Sequence, residues 1–380
     1  MKAKQILSCA GVILLEACRP SAPATCVEGE LSGLESDTLL VDYFAVSDLR
    51  HEGMQTDTVT VTQQGKFAYA VKGDSVPVQL FFHVKPQGNE VPSLHKTVGV
   101  VAFPGQTVRI SGSMDDCHVE GNEFHRVYAQ VQEPYRKKLN RIAEVIMVYR
   151  KKETLTPERI DSLHKIYQPI YDEMMKVQKD YVVKHPDEDV SVYLLSKLGL
   201  HTAKELLPAV GEKARTGVMA SLYREMEEAL EKEKAREEAA LRITEGEAAP
   251  DFCLKDIEGH DFSLSSLRGK YVVLDFWGSW CGWCIKGIPD MKKAYGQYKD
   301  RMEVVGVDCG DTEDKWKEAV EKHRLPWTQV RNSGNIDLTV VYAIKGYPTK
   351  IVIDREGKIA KVVVGEDPSF YAYLDSLLKK

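Results

Sequence analysis

Residues 271–284 read Tyr271-Val272-Val273-Leu274-Asp275-Phe276-Trp277-Gly278-Ser279-Trp280-Cys281-Gly282-Trp283-Cys284. The first seven are mostly apolar, with β-branched and aromatic side chains, which predicts a buried strand. The pattern from Ile285 to Tyr298 predicts a helix directly after it. Cys281 and Cys284 are therefore expected at a strand-to-helix corner, where the helix begins.

This corner favours redox chemistry. Unpaired N–H groups and the positive end of the helix dipole stabilise a thiolate at a helix N-terminus, which lowers the pKa of the first cysteine. Cys281 is therefore the predicted nucleophile. Cys284 lies one helical turn later and is placed to attack the mixed disulfide formed by Cys281, so the two are predicted to form a redox disulfide.

Residues near this pair in the predicted fold suggest further roles. Asp275 lies on the strand, where a buried carboxyl with a raised pKa would exchange a proton with Cys284. Pro348 precedes a predicted strand, the position at which a cis-proline loop would face the cysteines. The remaining substrate-binding candidates are Trp280, Gly282, Trp283, Gly346 and Tyr347, with Tyr347 offering backbone groups to an extended substrate strand.

The run from Val273 to Cys284 resembles a thioredoxin active site. Residues 246–380 as a whole are similar to the TlpA/ResA-like periplasmic branch of that superfamily. The residues before the strand that carry this similarity are Ala249-Pro250-Asp251-Phe252, Gly259, Leu264, Leu267, Gly269 and Lys270. The resemblance implies an α/β thioredoxin fold with a central insertion between Cys284 and Pro348. It implies that Cys281 attacks, Cys284 resolves, Asp275 assists and Pro348 shapes the substrate groove. Neither a cofactor nor a metal is expected.

Two departures limit what the resemblance implies. Members that serve cytochrome c maturation usually have a Glu three residues after the second cysteine, whereas this chain has Gly287. The pair Gly282-Trp283 replaces the Gly-Pro of reducing thioredoxins, and this dipeptide influences the reduction potential. The direction of electron flow stays open. We favour a reductase because Asp275 and the Trp-Cys-Gly-x-Cys sequence resemble reducing members.

The other cysteines allow competing interpretations. Half of a zinc site would need two more ligands, and Cys253 and Cys309 have no pair spacing, so redox chemistry is favoured. Cys309 follows a predicted parallel strand, so one interpretation places it near the active site. The favoured interpretation is that Cys309 is a buried core residue. A disulfide between Cys26 and Cys117 would tie the ends of a β-domain together, and the spacing of the two residues leaves this pairing open.

Composition excludes several classes of protein. The 380 residues are enough for two or three domains, and 43% hydrophobic residues exclude wholesale disorder. A net charge of -6 gives no electrostatic support for nucleic-acid binding. No apolar run approaches the ~20 residues of a membrane-spanning helix.

The N-terminus carries an export pattern. Residues 1–17 combine lysines with an apolar stretch and are predicted to be a signal peptide. Leu15-Glu16-Ala17-Cys18 resembles a lipobox, so Cys18 is the predicted lipidation site and residues 18–26 a lipid-anchor linker. The alternative is cleavage after Ala24. Both alternatives predict a location outside the cytoplasm, in the bacterial envelope. The favoured alternative is a periplasmic lipoprotein whose membrane contact is only through the lipid anchor.

Two segments separate this signal from the cysteine pair. Residues 27–120 alternate polar and apolar side chains between glycine turns, which predicts an antiparallel β-sandwich. This segment resembles an uncharacterised β-domain that precedes thioredoxin modules in envelope lipoproteins. Residues 121–245 change to a helical period and predict a helical domain. The chain is thus expected to contain three domains, the last spanning 246–380.

The leading hypothesis is an envelope thiol-disulfide oxidoreductase that reduces disulfides in exported proteins through Cys281 and Cys284. Its expected partners are exported protein thiols or disulfides and an inner-membrane electron donor. One alternative is a disulfide oxidant or isomerase. The other is an envelope binding or assembly lipoprotein without enzymatic activity.

Overall fold

The computed structural model describes residues 25–34, 36–51, 53–72, 75–84, 97–152 and 156–379. The predicted signal peptide and the lipidation site Cys18 lie outside these residues. The chain divides into two compact units, Met1–Glu228 and Ala229–Lys380. In the described part of the chain, no helix combines the length and apolar character that crossing a membrane requires.

The N-terminal unit begins with strands. In chain order they are β1 (Cys26–Ser32), β2 (Thr38–Ala45), β3 (Gln55–Thr60), β4 (Lys66–Ala70), β5 (Val78–Val84), β6 (Thr97–Ala102), β7 (Thr107–Ser113) and β8 (Cys117–Glu120). They form two four-stranded sheets, ordered β4-β1-β7-β8 and β3-β2-β5-β6. Apolar residues of both sheets, among them Val27, Leu80 and Phe82, belong to one buried core.

The pairing of β1 with β7 departs from the expected arrangement. Val27 pairs with Tyr69 of β4 in antiparallel fashion and with Val108 of β7 in parallel. The prediction of a wholly antiparallel arrangement is therefore wrong at this pair. Alternation along a strand reports which faces are buried, but it contains no information about the direction of the neighbouring strand.

Helices follow the strands. They are α1 (Glu123–Lys152), α2 (Pro157–Lys184), α3 (Asp189–Lys197), α4 (Gly199–Leu206), α5 (Glu212–Arg215) and α6 (Ala220–Ala240), with a 3-10 turn at Leu207–Ala209. The short helix α3 is buried from Val190 to Leu195, and its Tyr193 hydroxyl donates to Gln79 Oε1 of β5 at 2.7 Å. This hydrogen bond satisfies two buried polar groups and joins the helices to the second sheet.

The second unit alternates strands and helices. Its elements are β9 (Cys253–Lys255), β10 (Asp261–Ser263), β11 (Tyr271–Trp277), α7 (Gly282–Tyr298), β12 (Met302–Asp308), α8 (Glu313–His323), β13 (Thr328–Arg331), α9 (Leu338–Val341), β14 (Thr349–Ile353), β15 (Ile359–Val364) and α10 (Pro368–Leu378). The main sheet has the order β13-β12-β11-β14-β15. Strand β11 is parallel to β12 and antiparallel to β14, so it occupies the centre.

Strand β11 has a core on each side, which explains its nearly continuous apolar sequence. Leu274 and Phe276 pack into one core, whereas Val273 packs into the other. Trp277, the last residue of the strand, belongs to a third cluster that also contains Cys281 and Cys284. The centre of the sheet therefore fixes the point from which the cysteine corner projects.

Candidate active site

Cys281 and Cys284 are joined by a disulfide at the N-terminus of α7. Cys281 is the N-cap residue of the helix, and its Sγ accepts a hydrogen bond from the Cys284 backbone N–H at 3.1 Å. Both cysteines are buried. The helix N-terminus is thus aimed at the sulfur predicted to act as the nucleophile, where it stabilises negative charge.

Two tryptophans flank the disulfide and are exposed. Trp280 is 56% exposed and Trp283 is 61% exposed, and Gly282 between the cysteines is also exposed. Lys286 Nζ lies 4.6 Å from the centre of the Trp283 ring, within cation–π range. The disulfide therefore lies beneath an apolar surface that a polypeptide chain can contact.

Asp275 lies on β11, ahead of the cysteine corner. Its Oδ1 atom is buried and has no hydrogen-bond partner among the described residues. Burial raises the pKa of this carboxyl to about 6, partly opposed by the positive charge of Lys350 and reinforced by the negative charge of Glu366. A carboxyl with this pKa exchanges protons readily near neutral pH.

The loop before β14 lies against the cysteine pair. The peptide bond between Tyr347 and Pro348 is cis. The Tyr347 ring packs edge-on against Trp280, with ring centroids 5.1 Å apart, and also contacts the cluster of Cys281 and Cys284. The Gly346 carbonyl accepts a hydrogen bond from Thr349 Oγ1 at 2.7 Å. The structure thus brings Tyr347 and its proline loop to the same surface as Trp280.

A carboxyl group that the sequence analysis missed, Asp311, holds the loop before Cys281, and Asp308 lies beside it. Asp311 accepts hydrogen bonds from the backbone N–H and the hydroxyl of Ser279, both at 2.6 Å. Burial raises the pKa of the neighbouring Asp308 to about 8, reinforced by Asp311. Asp308 is therefore neutral at pH 7, and the negative charge resides on Asp311. Asp308 at the end of a buried strand, with Asp311 three residues later, was the available signal.

A second missed pair lies beside Asp275. Lys350 Nζ is 2.6 Å from Glu366 Oε2, and both side chains are largely buried. Lys350 is the residue of β14 that pairs with Asp275 of β11. A lysine inside the mostly apolar strand Thr349–Ile353 could have indicated a buried charge from the sequence. No sequence pattern indicated that Glu366 is the partner of this lysine.

Three other cysteines of the described residues have been assigned alternatives above: Cys26, Cys117 and Cys309. Cys309 is buried, as the favoured interpretation expected, and its carbonyl accepts a hydrogen bond from the Trp280 indole at 3.1 Å. No disulfide joins Cys26 to Cys117. The register explains this: Cys26 pairs with Thr107 and Cys117 with Gly112, at opposite ends of β7 and so about 17 Å apart.

A family model described as AhpC/TSA family matches residues 246–362. The chain is similar to the thiol-disulfide oxidoreductase ResA of Bacillus cereus, at 34% identity over 122 residues, which are 32% of this chain and 70% of that protein. ResA of Halalkalibacterium halodurans is 36% identical over 121 residues, which are 32% of this chain and 68% of that protein.

Among solved structures, one similar to this chain is the thioredoxin domain of a thiol-disulfide oxidoreductase from Bacteroides vulgatus. It has 34% sequence identity and a TM-score of 0.33, and the match covers 36% of this chain and 98% of that one.

Proposed function

Since the chain belongs to the family of thiol-disulfide oxidoreductases that includes ResA, and its C-terminal part is a thioredoxin-like α/β domain, we propose that Cys281 and Cys284 are its redox couple. The observation that carries this assignment is their disulfide at the N-terminus of α7. In this proposal Asp275 and Pro348 complete the catalytic group. Trp280, Gly282, Trp283, Gly346 and Tyr347 contact the substrate.

In the reducing direction, the Cys281 thiolate attacks one sulfur of a substrate disulfide. A bond forms between Cys281 Sγ and that sulfur, the substrate S–S bond breaks, and the other substrate sulfur leaves and takes up a proton. Cys284 then gives its proton to the Asp275 carboxylate and attacks Cys281 Sγ. The Cys284–Cys281 bond forms, the bond between Cys281 and the substrate breaks, and the second substrate sulfur leaves and takes up a proton. Two electrons have then passed from the enzyme to the substrate.

The protonation behaviour of Asp275 fits its proposed role in the resolution step. A carboxyl whose pKa is raised to about 6 is mostly ionised at pH 7 and basic enough to accept a thiol proton. The opposite direction runs the same steps in reverse, starting from the enzyme disulfide. A disulfide oxidant or isomerase is therefore the second candidate, and the reduction potential distinguishes the two.

We expect a midpoint reduction potential near the value of about -270 mV that is typical of thioredoxin. The measurement equilibrates the protein in a dithiothreitol redox series and follows tryptophan fluorescence, since Trp280 and Trp283 flank the disulfide. A value near about -120 mV, typical of strong oxidants, would instead favour the oxidant. If no reversible two-electron transition is found, the redox function is wrong.

The proposed substrates are disulfides in exported proteins, and a membrane-bound dithiol donor would return the electrons. We further propose that the signal peptide is removed and that Cys18 carries a lipid anchor in the periplasm. In the N-terminal unit, the core shared by the two sheets supports a β-sandwich over residues 27–120. Domain boundaries at 120/121 and 245/246 belong to the same proposal.

Replacing Cys18 by alanine is expected to move the full-length protein from the membrane fraction to the soluble fraction, because a lipid chain supplies its only membrane contact. Fractionation with immunoblotting measures the shift, and Cys26→Ala serves as the control that stays in the membrane fraction. A mature N-terminus at Thr25, found by mass spectrometry, would contradict the anchor and support cleavage after Ala24.

A further inference from the structure

Gly287 leaves a space beside the redox disulfide. It lies three residues after Cys284 on α7, and residues with this spacing share a helix face. A Cβ atom at Gly287 would overlap the carboxylate of Glu366, which comes from the segment between β15 and α10. The absence of a side chain at 287 is therefore what allows Glu366 to lie against this face of the helix.

Glu366 belongs to a buried network. Its Oε2 accepts from Lys350 Nζ at 2.6 Å, and its Oε1 accepts from the Tyr371 hydroxyl at 2.9 Å. Lys350 is only 3% exposed in its side chain and Glu366 is 12% exposed. A buried ion pair contributes little net stability because desolvation opposes the attraction. The presence of this buried ion pair is therefore not explained by a contribution to the stability of the fold.

The pair lies next to the carboxyl that serves the cysteines. Lys350 and Asp275 are direct partners across β14 and β11, and Asp275 Oδ1 has no hydrogen-bond partner among the described residues. Lys350 favours a negative charge on Asp275, whereas Glu366 opposes it. The other ionisable groups whose charges act on this network are Tyr371 of α10, Asp290 of α7 and Cys309 after β12.

We propose that Lys350 and Glu366 are positioning residues that set the proton affinity of Asp275, so that Asp275 accepts the Cys284 proton when the mixed disulfide is resolved. This inference rests on the proposed function of the cysteine pair. Neither residue touches the substrate. Glu366 partly neutralises Lys350 and thereby keeps Asp275 basic, and Gly287 provides the space that Glu366 occupies.

The two charges predict opposite effects. Glu366→Gln leaves the charge of Lys350 uncompensated, so the apparent pKa that governs resolution should fall by about one unit. Lys350→Met removes the positive charge, so the same pKa should rise by about one unit. The measurement is the rate of mixed-disulfide resolution from pH 4 to 9, when reduced full-length protein reacts with oxidised glutathione, followed by tryptophan fluorescence.

Three further variants separate this effect from a structural one. Gly287→Ala changes no charge but displaces Glu366, so it should shift the profile in the same direction as Glu366→Gln. Lys350→Arg keeps the positive charge and should retain the wild-type profile. Glu245→Gln changes an exposed carboxyl, paired with Lys361 at 3.8 Å in the same unit, and should leave the profile unchanged.

The outcomes distinguish this inference from the function on which it rests. If the wild-type protein does not react with oxidised glutathione at all, the proposed redox function fails. If the wild type reacts but the Glu366→Gln and Lys350→Met profiles coincide with it, or shift in the same direction, the inference is overturned. Should either variant fail to fold, the other variant and Gly287→Ala carry the test, and a Gly287→Ala profile that coincides with the wild type overturns the inference.

Discussion

Cys281→Ser is expected to abolish disulfide exchange, with a loss of at least about 10³-fold in rate. The serine hydroxyl is not ionised at neutral pH, so the thiolate at the N-terminus of α7 is lost, and Cys284 without Cys281 cannot complete a two-cysteine exchange. Turnover of a disulfide-bonded protein such as insulin, with dithiothreitol as the electron source, measures the loss.

Cys284→Ser is expected to behave differently. Cys281 can still attack, but no thiol resolves the mixed disulfide, so a covalent adduct with the substrate should accumulate and be visible by non-reducing electrophoresis and mass spectrometry. Cys253→Ser is the matched control, since it removes an exposed thiol from the same unit and should retain full activity without an adduct. Turnover by Cys281→Ser, or no adduct with Cys284→Ser, would favour a binding protein.

Asp275→Asn is expected to slow the resolution step by about 10²-fold, because the amide cannot accept the Cys284 proton. In the wild type the rate of this step should fall as pH decreases through about 6, where Asp275 becomes protonated. The variant should lack this decrease. Rapid mixing with oxidised glutathione at several pH values measures both, and an unchanged profile in the variant would exclude Asp275 as the proton acceptor.

The same substitution should stabilise the protein. Asp275 has a folded-state pKa raised from 3.8 to about 6, so the folded state binds more protons than the unfolded state between these values. The free energy of unfolding therefore decreases as the pH rises from about 4 to about 6. Above this range, the ionised Asp275 lowers the free energy of unfolding by its full amount. Removing the charge should increase the free energy of unfolding by about 3 kcal/mol at pH 7.5, at 1.36 kcal/mol per pKa unit.

Urea unfolding of the oxidised protein at pH 7.5 and pH 3.5 checks this second effect. The gain should be present at pH 7.5 and nearly absent at pH 3.5, where Asp275 is protonated in the folded state and mostly protonated in the unfolded state. Asp300→Asn, at an exposed position of the same unit, should change the stability little at either pH. A gain of the same size at both pH values would show that the charge of Asp275 is not its source.

The cysteine corner could be predicted because all of its determinants are local. The strand Tyr271–Trp277 and the helix that begins at Gly282 are adjacent in the sequence, so one window of residues contains the whole arrangement. Glu366 could not be found in this way. Glu366 lies close to Gly287 because β14 pairs with β11 and β15 pairs with β14. No local sequence pattern encodes which strands pair.

The N-terminal unit shows the same division. Periodicity located strands such as Lys66–Ala70 and Val78–Val84 and the long helices, including α1 and α2, which both continue through an internal proline. It did not identify the short helix α3, whose side chains are buried on all sides and therefore have no amphipathic period. Nor did it reveal the parallel pairing of β1 with β7, which depends on residues far apart in the chain.

That parallel pair determines the order in which the unit can assemble. Strand β1 is the first strand of the described residues, yet it lies between β4 and β7, and its β7 neighbour follows about 80 residues later. Until β7 is available, β1 has an open edge along which another extended chain can pair. The N-terminal unit therefore stays open to pairing with other extended chains until Thr107–Ser113 has joined β1.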